Sequence, residues 1–104
     1  MALDPTVLAD GQLPNSKGTL YTAAKITIVK TISFVNTDTV TRLCNLYLNT
    51  SGTSRLISPK NLSMPTRYKA EFDDPICLEV GDLIEGDADA ATVVDYIITG
   101  AIRP

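Results

Sequence analysis

Apolar and polar residues alternate with a period of two along most of this chain, the signature of half-buried β-strands. Tyr68, Ala70 and Phe72 alternate with Lys69 and Glu71, so the first three are expected to face a core. Cys44, Leu46 and Leu48 fall on one face of a strand, and Asn45, Tyr47 and Asn49 on the other. Val94, Tyr96, Ile98 and Ile102 share an inward register. Ile26, Ile28, Ile32 and Phe34 share another, but Lys30 breaks it, and Val29 and Val35 take the opposite parity. That strand is either covered on both faces or carries a bulge.

Turn signals punctuate the runs. In residues 78–86, LEVGDLIEG, the pair Gly81-Asp82 separates two apolar runs, and Gly86-Asp87 follows. Both pairs predict turns of an antiparallel meander. Asn36-Thr37-Asp38-Thr39, Ser51-Gly52-Thr53-Ser54 and Asp73-Asp74-Pro75 mark further turns, and Pro59 and Pro65 end short apolar runs. The one helix-favouring segment, residues 87–91, is too short to count. Seven or eight strands spaced by about 8–12 residues predict an all-β fold, an antiparallel two-sheet sandwich of jelly-roll or Greek-key type.

Residues 1–17 lack this pattern. Pro5 and Pro14 interrupt them, and Asp10-Gly11 and Asn15-Ser16 mark turns. Two readings stand side by side: a loose terminus, or an extended N-terminal arm whose anchors Leu3, Val7, Leu8 and Leu13 bury against a neighbouring molecule. The domain division is then an arm over 1–17 and a β-sandwich over 18–104. On the arm reading, deleting residues 2–14 leaves the sandwich folded.

Composition narrows the class. At 104 residues, 44% apolar and 20% charged, the chain is expected to form one globular domain. No stretch approaches the ~20 apolar residues of a membrane helix, and no basic residue precedes Lys17, so manufacture in a cytoplasm without export is expected. Charge is split along the chain. Residues 1–70 carry eight Lys/Arg and three Asp/Glu, a balance of +5; residues 71–104 carry one Arg and nine Asp/Glu, a balance of −8, together the net −3. The two segments either pair across the sheets or present a bipolar surface for docking. A low pI and no concentrated basic patch exclude a nucleic-acid partner.

Candidate chemistry is sparse. There is no histidine, phosphate loop or nucleophile elbow. Cys44 and Cys77 read best as reduced, buried small hydrophobes, with a disulfide as the alternative. Glu71, Asp73 and Asp74 could form a glycosidase-like carboxylate pair, but turn chemistry explains them more simply. Asp82, Glu85, Asp87 and Asp89 supply oxygens of the kind calcium takes, without a calcium-loop pattern. Tyr47, outward by parity, is the one reasonable exposed aromatic platform for a sugar, since Tyr68 and Tyr96 take the inward register. Covering a sheet face or sitting in a subunit contact explains it more simply. No catalytic residue, cofactor or metal site is assigned.

The segments LYT, ITIVKTISFVNTDT, LYLNTSGTSRLISPKNLSM, EFDDPICLEVGDLIEGDA and VVDYIITG together resemble small all-β virion proteins of tailed bacteriophages. The likeness covers residues 20–100. It departs from the usual pattern at Met64-Pro65-Thr66-Arg67-Tyr68, where a small-residue turn is common. The resemblance implies a non-enzymatic structural role in a virion. The resemblance does not choose among virion positions. The compact sandwich, the arm with spaced apolar anchors and the bipolar charge favour a capsid decoration (cement) protein on the capsid surface, a homotrimer binding the major capsid protein and copies of itself. The arm would clamp, and the acidic region with Asp82, Glu85 and Asp87 would meet basic capsid surface. The alternative is a tail, head-completion or fibre component, with Tyr47 touching host glycans.

Overall fold

In a computed structural model describing residues 6–102, ten strands and no helix form two antiparallel sheets. In chain order they are β1 (Thr6–Gln12), β2 (Gly18–Thr22), β3 (Thr27–Asn36), β4 (Arg42–Thr50), β5 (Thr53–Leu56), β6 (Leu62–Met64), β7 (Lys69–Phe72), β8 (Ile76–Leu78), β9 (Leu83–Ala88) and β10 (Val94–Ile102). Sheet A runs β1-β10-β3-β7, with β8 continuing the same edge of β3. Sheet B runs β2-β9-β4-β5, with β6 continuing the edge of β4. Taking each broken edge as one strand leaves eight positions, first beside last and second beside next-to-last. This is the jelly-roll order, so the expected sandwich is present with its topology resolved.

Two of the expected turns behave differently. Gly81-Asp82 does turn the chain: the Asp82 N–H donates to the Glu79 carbonyl at 3.0 Å, Gly81 takes φ +92°, and Asp82 Oδ2 accepts from the Glu79 N–H at 3.0 Å. Yet β8 lies in sheet A and β9 in sheet B, so the turn hands the chain between sheets and closes no meander. Gly86-Asp87 is no turn at all. Gly86 sits within β9, where a Cβ would lie 2.8 Å from Leu20 Cδ1 and 3.3 Å from Leu13 Cδ2. The Asn45 carbonyl oxygen would lie 3.2 Å away as well, so a side chain at this position would press on the backbone of β4 and displace both leucine ends.

β3 resolves to the bulge. Its pairing with β10 steps from Thr31 to Val29, leaving Lys30 as the extra residue. Thr27 and Val29 therefore face inward before the bulge, and Ile32, Phe34 and Asn36 after it. Ile26, expected inside, is 42% exposed, and Ile28 is only half-buried. Across from the bulge, a Cβ on Gly100 would fall 2.1 Å from the Ile28 carbonyl oxygen. The two backbones meet where no side chain fits.

The N-terminal segment is corrected most. Residues 6–12 are not a separate arm, because β1 pairs along β10 from Thr6↔Gly100 to Gln12↔Asp95. Leu13 is 1% exposed and belongs to the chain's own core with Phe34, Leu46, Ile84, Val94 and Ile98. Its N–H donates to the Val94 carbonyl at 2.8 Å, and the Ala88 N–H donates to Pro14 at 2.9 Å. The boundary expected after residue 17 therefore crosses a continuous fold. Leu8 is half-buried against the core at a bulge, Val7 is 58% exposed, and Leu3 lies outside the described residues.

Other side chains differ from expectation too. Tyr68 is exposed, and Cys77 lies on the outer side of sheet A, so only Cys44 is a buried thiol; both are free. The basic and acidic segments do not pair broadly. Among the described residues only Arg42 forms salt bridges, to Asp38 at 2.6 Å and Asp89 at 3.8 Å. The Met64–Tyr68 connection is held by Asn36, whose buried amide donates to the carbonyls of Met64 at 2.8 Å and Val40 at 2.9 Å. The Arg67 N–H donates back to the Asn36 carbonyl at 3.0 Å.

Candidate docking surface

The outer face of sheet B gathers three of the side chains singled out in the sequence. On β4, Asn45, Tyr47 and Asn49 point away from the core, as their parity predicts, and β9 lies alongside with Asn45↔Asp87 and Tyr47↔Glu85 in register. Residues paired in an antiparallel ladder share a face, so the register alone delivers Glu85 and Asp87 to the Asn–Tyr–Asn row.

These groups form a connected polar lattice. The Tyr47 hydroxyl donates to Asp87 Oδ2 at 3.0 Å, and Asn45 Nδ2 donates to Asp87 Oδ1 at 2.9 Å. Asn45 Nδ2 also reaches Asn61 Oδ1 at 3.1 Å, while Asn45 Oδ1 accepts the Asn61 N–H at 2.7 Å. Asn61, at φ +52°, is thereby tied to the sheet. Glu85 Oε1 accepts from Ser54 Oγ at 2.9 Å and Asn49 Nδ2 at 3.4 Å. Asn45 and Glu85 are 8% and 9% exposed although they lie on an outer face.

The electrostatics are one-sided. Both carboxylates are held by neutral donors, with no salt bridge among the described residues. The Lys17 ammonium instead sits 5.0 Å from the centroid of the Tyr47 ring. Burial raises the Tyr47 phenol above its ordinary pKa, helped by its bond to Asp87 and the charges of Asp87 and Glu85. The phenol thus stays a donor, fixing the carboxylate it contacts. Asp87, half-buried and oriented without a paired cation, can accept arginine or lysine from a partner with little reordering, while the mostly covered Glu85 adds its charge from beside it.

Asp82 does not join this face, being occupied in its own turn. Asp89 lies beyond the other end of β9, near Arg42. The four candidate calcium ligands are thus strung along β9, and no group of three His, Cys, Asp or Glu among the described residues could hold a metal. Glu71, Asp73 and Asp74 line a lateral opening of about 410 Å³ with Ile57, Phe72 and Ile76. Sequence reasoning missed Asn45, Asn49, Ser54, Asn61 and Lys17 as members of the surface. The parity of β4 signalled the first two; nothing local signalled the others.

No protein-family model matches the chain, and no curated protein does. Among solved structures it is similar to a pentameric capsid protein isolated from metagenomic phage sequences, with a TM-score of 0.50 and 18% identity. The match covers 90% of this chain and 61% of that one, so the chain spans less than two thirds of its neighbour's length. At this identity the likeness is one of fold, an all-β jelly-roll sandwich.

Proposed function

We propose that the chain is a non-enzymatic structural protein of a bacteriophage virion. Its specific form is a capsid decoration protein, a homotrimer on the head surface that binds across major capsid protein subunits and adds binding energy without chemistry. The fold shared with a pentameric phage capsid protein carries this reading. The polar lattice supports it, because Glu85 and Asp87 are pre-oriented for a basic partner and lose little side-chain entropy on docking. Contacts of this kind weaken with salt.

The test is co-sedimentation with purified heads. The pair Glu85→Gln and Asp87→Asn keeps the shape of the lattice and removes its charge. The doubly substituted chain is expected to bind at least about tenfold more weakly. Undiminished binding would sink the docking role. The tail or fibre alternative needs Tyr47 as an open platform for a sugar. Its hydroxyl is engaged by Asp87 and one ring face by Lys17, which favours the head reading.

A further inference from the structure

The two broken edges lie on the same flank of the sandwich. β5 and β6 are separated by residues 57–61 on sheet B, and β7 and β8 by residues 73–75 on sheet A. Between them the core opens sideways into the 410 Å³ space floored by Ile57, Phe72 and Ile76, all packed on the core cluster. The lips of this opening differ in sign. Sheet A contributes Glu71, Asp73 and Asp74. On the sheet B side of this flank, outside the lining itself, lie Arg55 on the edge strand β5 and Lys60 in the following loop, two residues before and three after the floor residue Ile57. All five are exposed, and none has a side-chain hydrogen bond or salt bridge to another described residue.

We propose that this flank is a self-complementary interface through which two copies of the chain pair about a two-fold axis running along the opening, parallel to the strands. Such an axis sets the acidic lip of each copy against the basic lip of the other, twice over, and brings the two apolar floors together. A purely basic partner would satisfy only the acidic lip and set its charge against Arg55 and Lys60. A second copy satisfies both. The contact does not depend on the virion reading: it joins two free chains or chains of neighbouring oligomers alike.

Charge reversal with mixing tests it. One variant carries Arg55→Glu and Lys60→Glu, making both lips acidic; the other carries Asp73→Lys and Asp74→Lys, making both basic. Light scattering at low salt is expected to show the wild type associating, with a mass that falls as salt is added. Each variant alone should associate at least about tenfold more weakly, because like charges then face each other. An equimolar mixture should regain association through mixed pairs only. Circular dichroism and thermal melts of each variant, taken alongside, establish that both remain folded. The proposal is overturned if the wild-type mass, whether that of one chain or of a salt-resistant oligomer, is the same at low and high salt. It is equally overturned if the folded variants associate like the wild type, or if mixing restores nothing.

Discussion

Sheets A and B are built to one plan: a strand from the N-terminal end, one from the C-terminal end, the longest strand, then an edge broken in two. They differ in how the long strand is used. In sheet A, β3 spends an extra residue at Lys30 and changes which side chains face the core, and Gly100 lets the β10 backbone come close. In sheet B, β4 keeps one register from Cys44 to Asn49 against β9, so its outward row is unbroken and can build a lattice with Glu85 and Asp87. A bulge buys core packing at the expense of a regular outer face. The regular strand leaves a surface on which polar groups repeat at fixed spacing.

The comparison can be broken most severely at the bulge. Gly100→Val places atoms where the Ile28 carbonyl and the Val29 Cα already lie, so β3 and β10 must separate. A loss of roughly 3 kcal/mol or more in chemical denaturation, or failure to fold, is expected. A melting temperature within a degree of wild type would mean the close approach is absent.

Leu13→Ala comes next, with a cost of about 2–5 kcal/mol for a fully buried leucine. The same side chain explains why deleting residues 2–14 is now expected to destabilise the sandwich, reversing the outcome drawn from the arm reading. The deletion removes β1 and a core residue together. Recovery of a cooperatively folding deletion variant would restore the arm.

On sheet B, Asn45→Ala withdraws the buried amide that joins Asn61 to Asp87. It should cost about 1–3 kcal/mol and increase amide exchange in the β5–β6 loop, leaving sheet A protected. Exchange rising equally in both sheets would deny the lattice its local role.

The gentlest probe uses the two thiols. Cys77 faces outward on sheet A, and Cys44 faces inward on sheet B. One thiol per folded chain should react rapidly with a thiol reagent near neutral pH, and the second only on unfolding. Burial pushes the Cys44 thiol up to about 12 from its ordinary 9.0, with the nearby Asp89 and Asp87 charges adding to the shift. The fold thus holds the thiol proton more tightly than the unfolded chain does. This contribution is complete below about pH 9 and is lost as pH rises from there through about 12. Thermal melts across that window should fall, and Cys44→Ala should flatten the fall. An equal decline in that variant would assign it to other groups, such as Tyr47 and Tyr96, whose pKa values burial also raises.

What was legible in the sequence follows from the range of each signal. Alternation in β4 and in β7 is a local consequence of the pleat, and it gave the correct faces for Leu46, Tyr47 and Ala70. Gly81-Asp82 was legible as a turn, but the same turn chemistry serves a hairpin or a crossing between sheets. Only the partners of β8 and β9 decide which. Gly86 looked like a turn residue because its reason, the leucines seated over it, comes from residues distant in the chain. Leu13 was misjudged because a single apolar residue between turn signals carries no periodicity. The polar lattice of sheet B was half legible. β4 displayed its row, but the bond between Tyr47 and Asp87 needs a register that no local pattern contains.

The pairing of β1 with β10 also dictates when the molecule can be finished. Thr6 is made well before its ladder partner Gly100, which lies 94 residues later in the chain. At ~5–20 residues per second, β1 waits about 5–20 s for the strand that will hold it. Throughout that interval its unpaired backbone edge is available to any other strand, including the β10 of a chain completed nearby. A sandwich closed by its two extremes therefore folds as a whole or exchanges ends with a neighbour, and crowding at the site of synthesis sets the balance between the two.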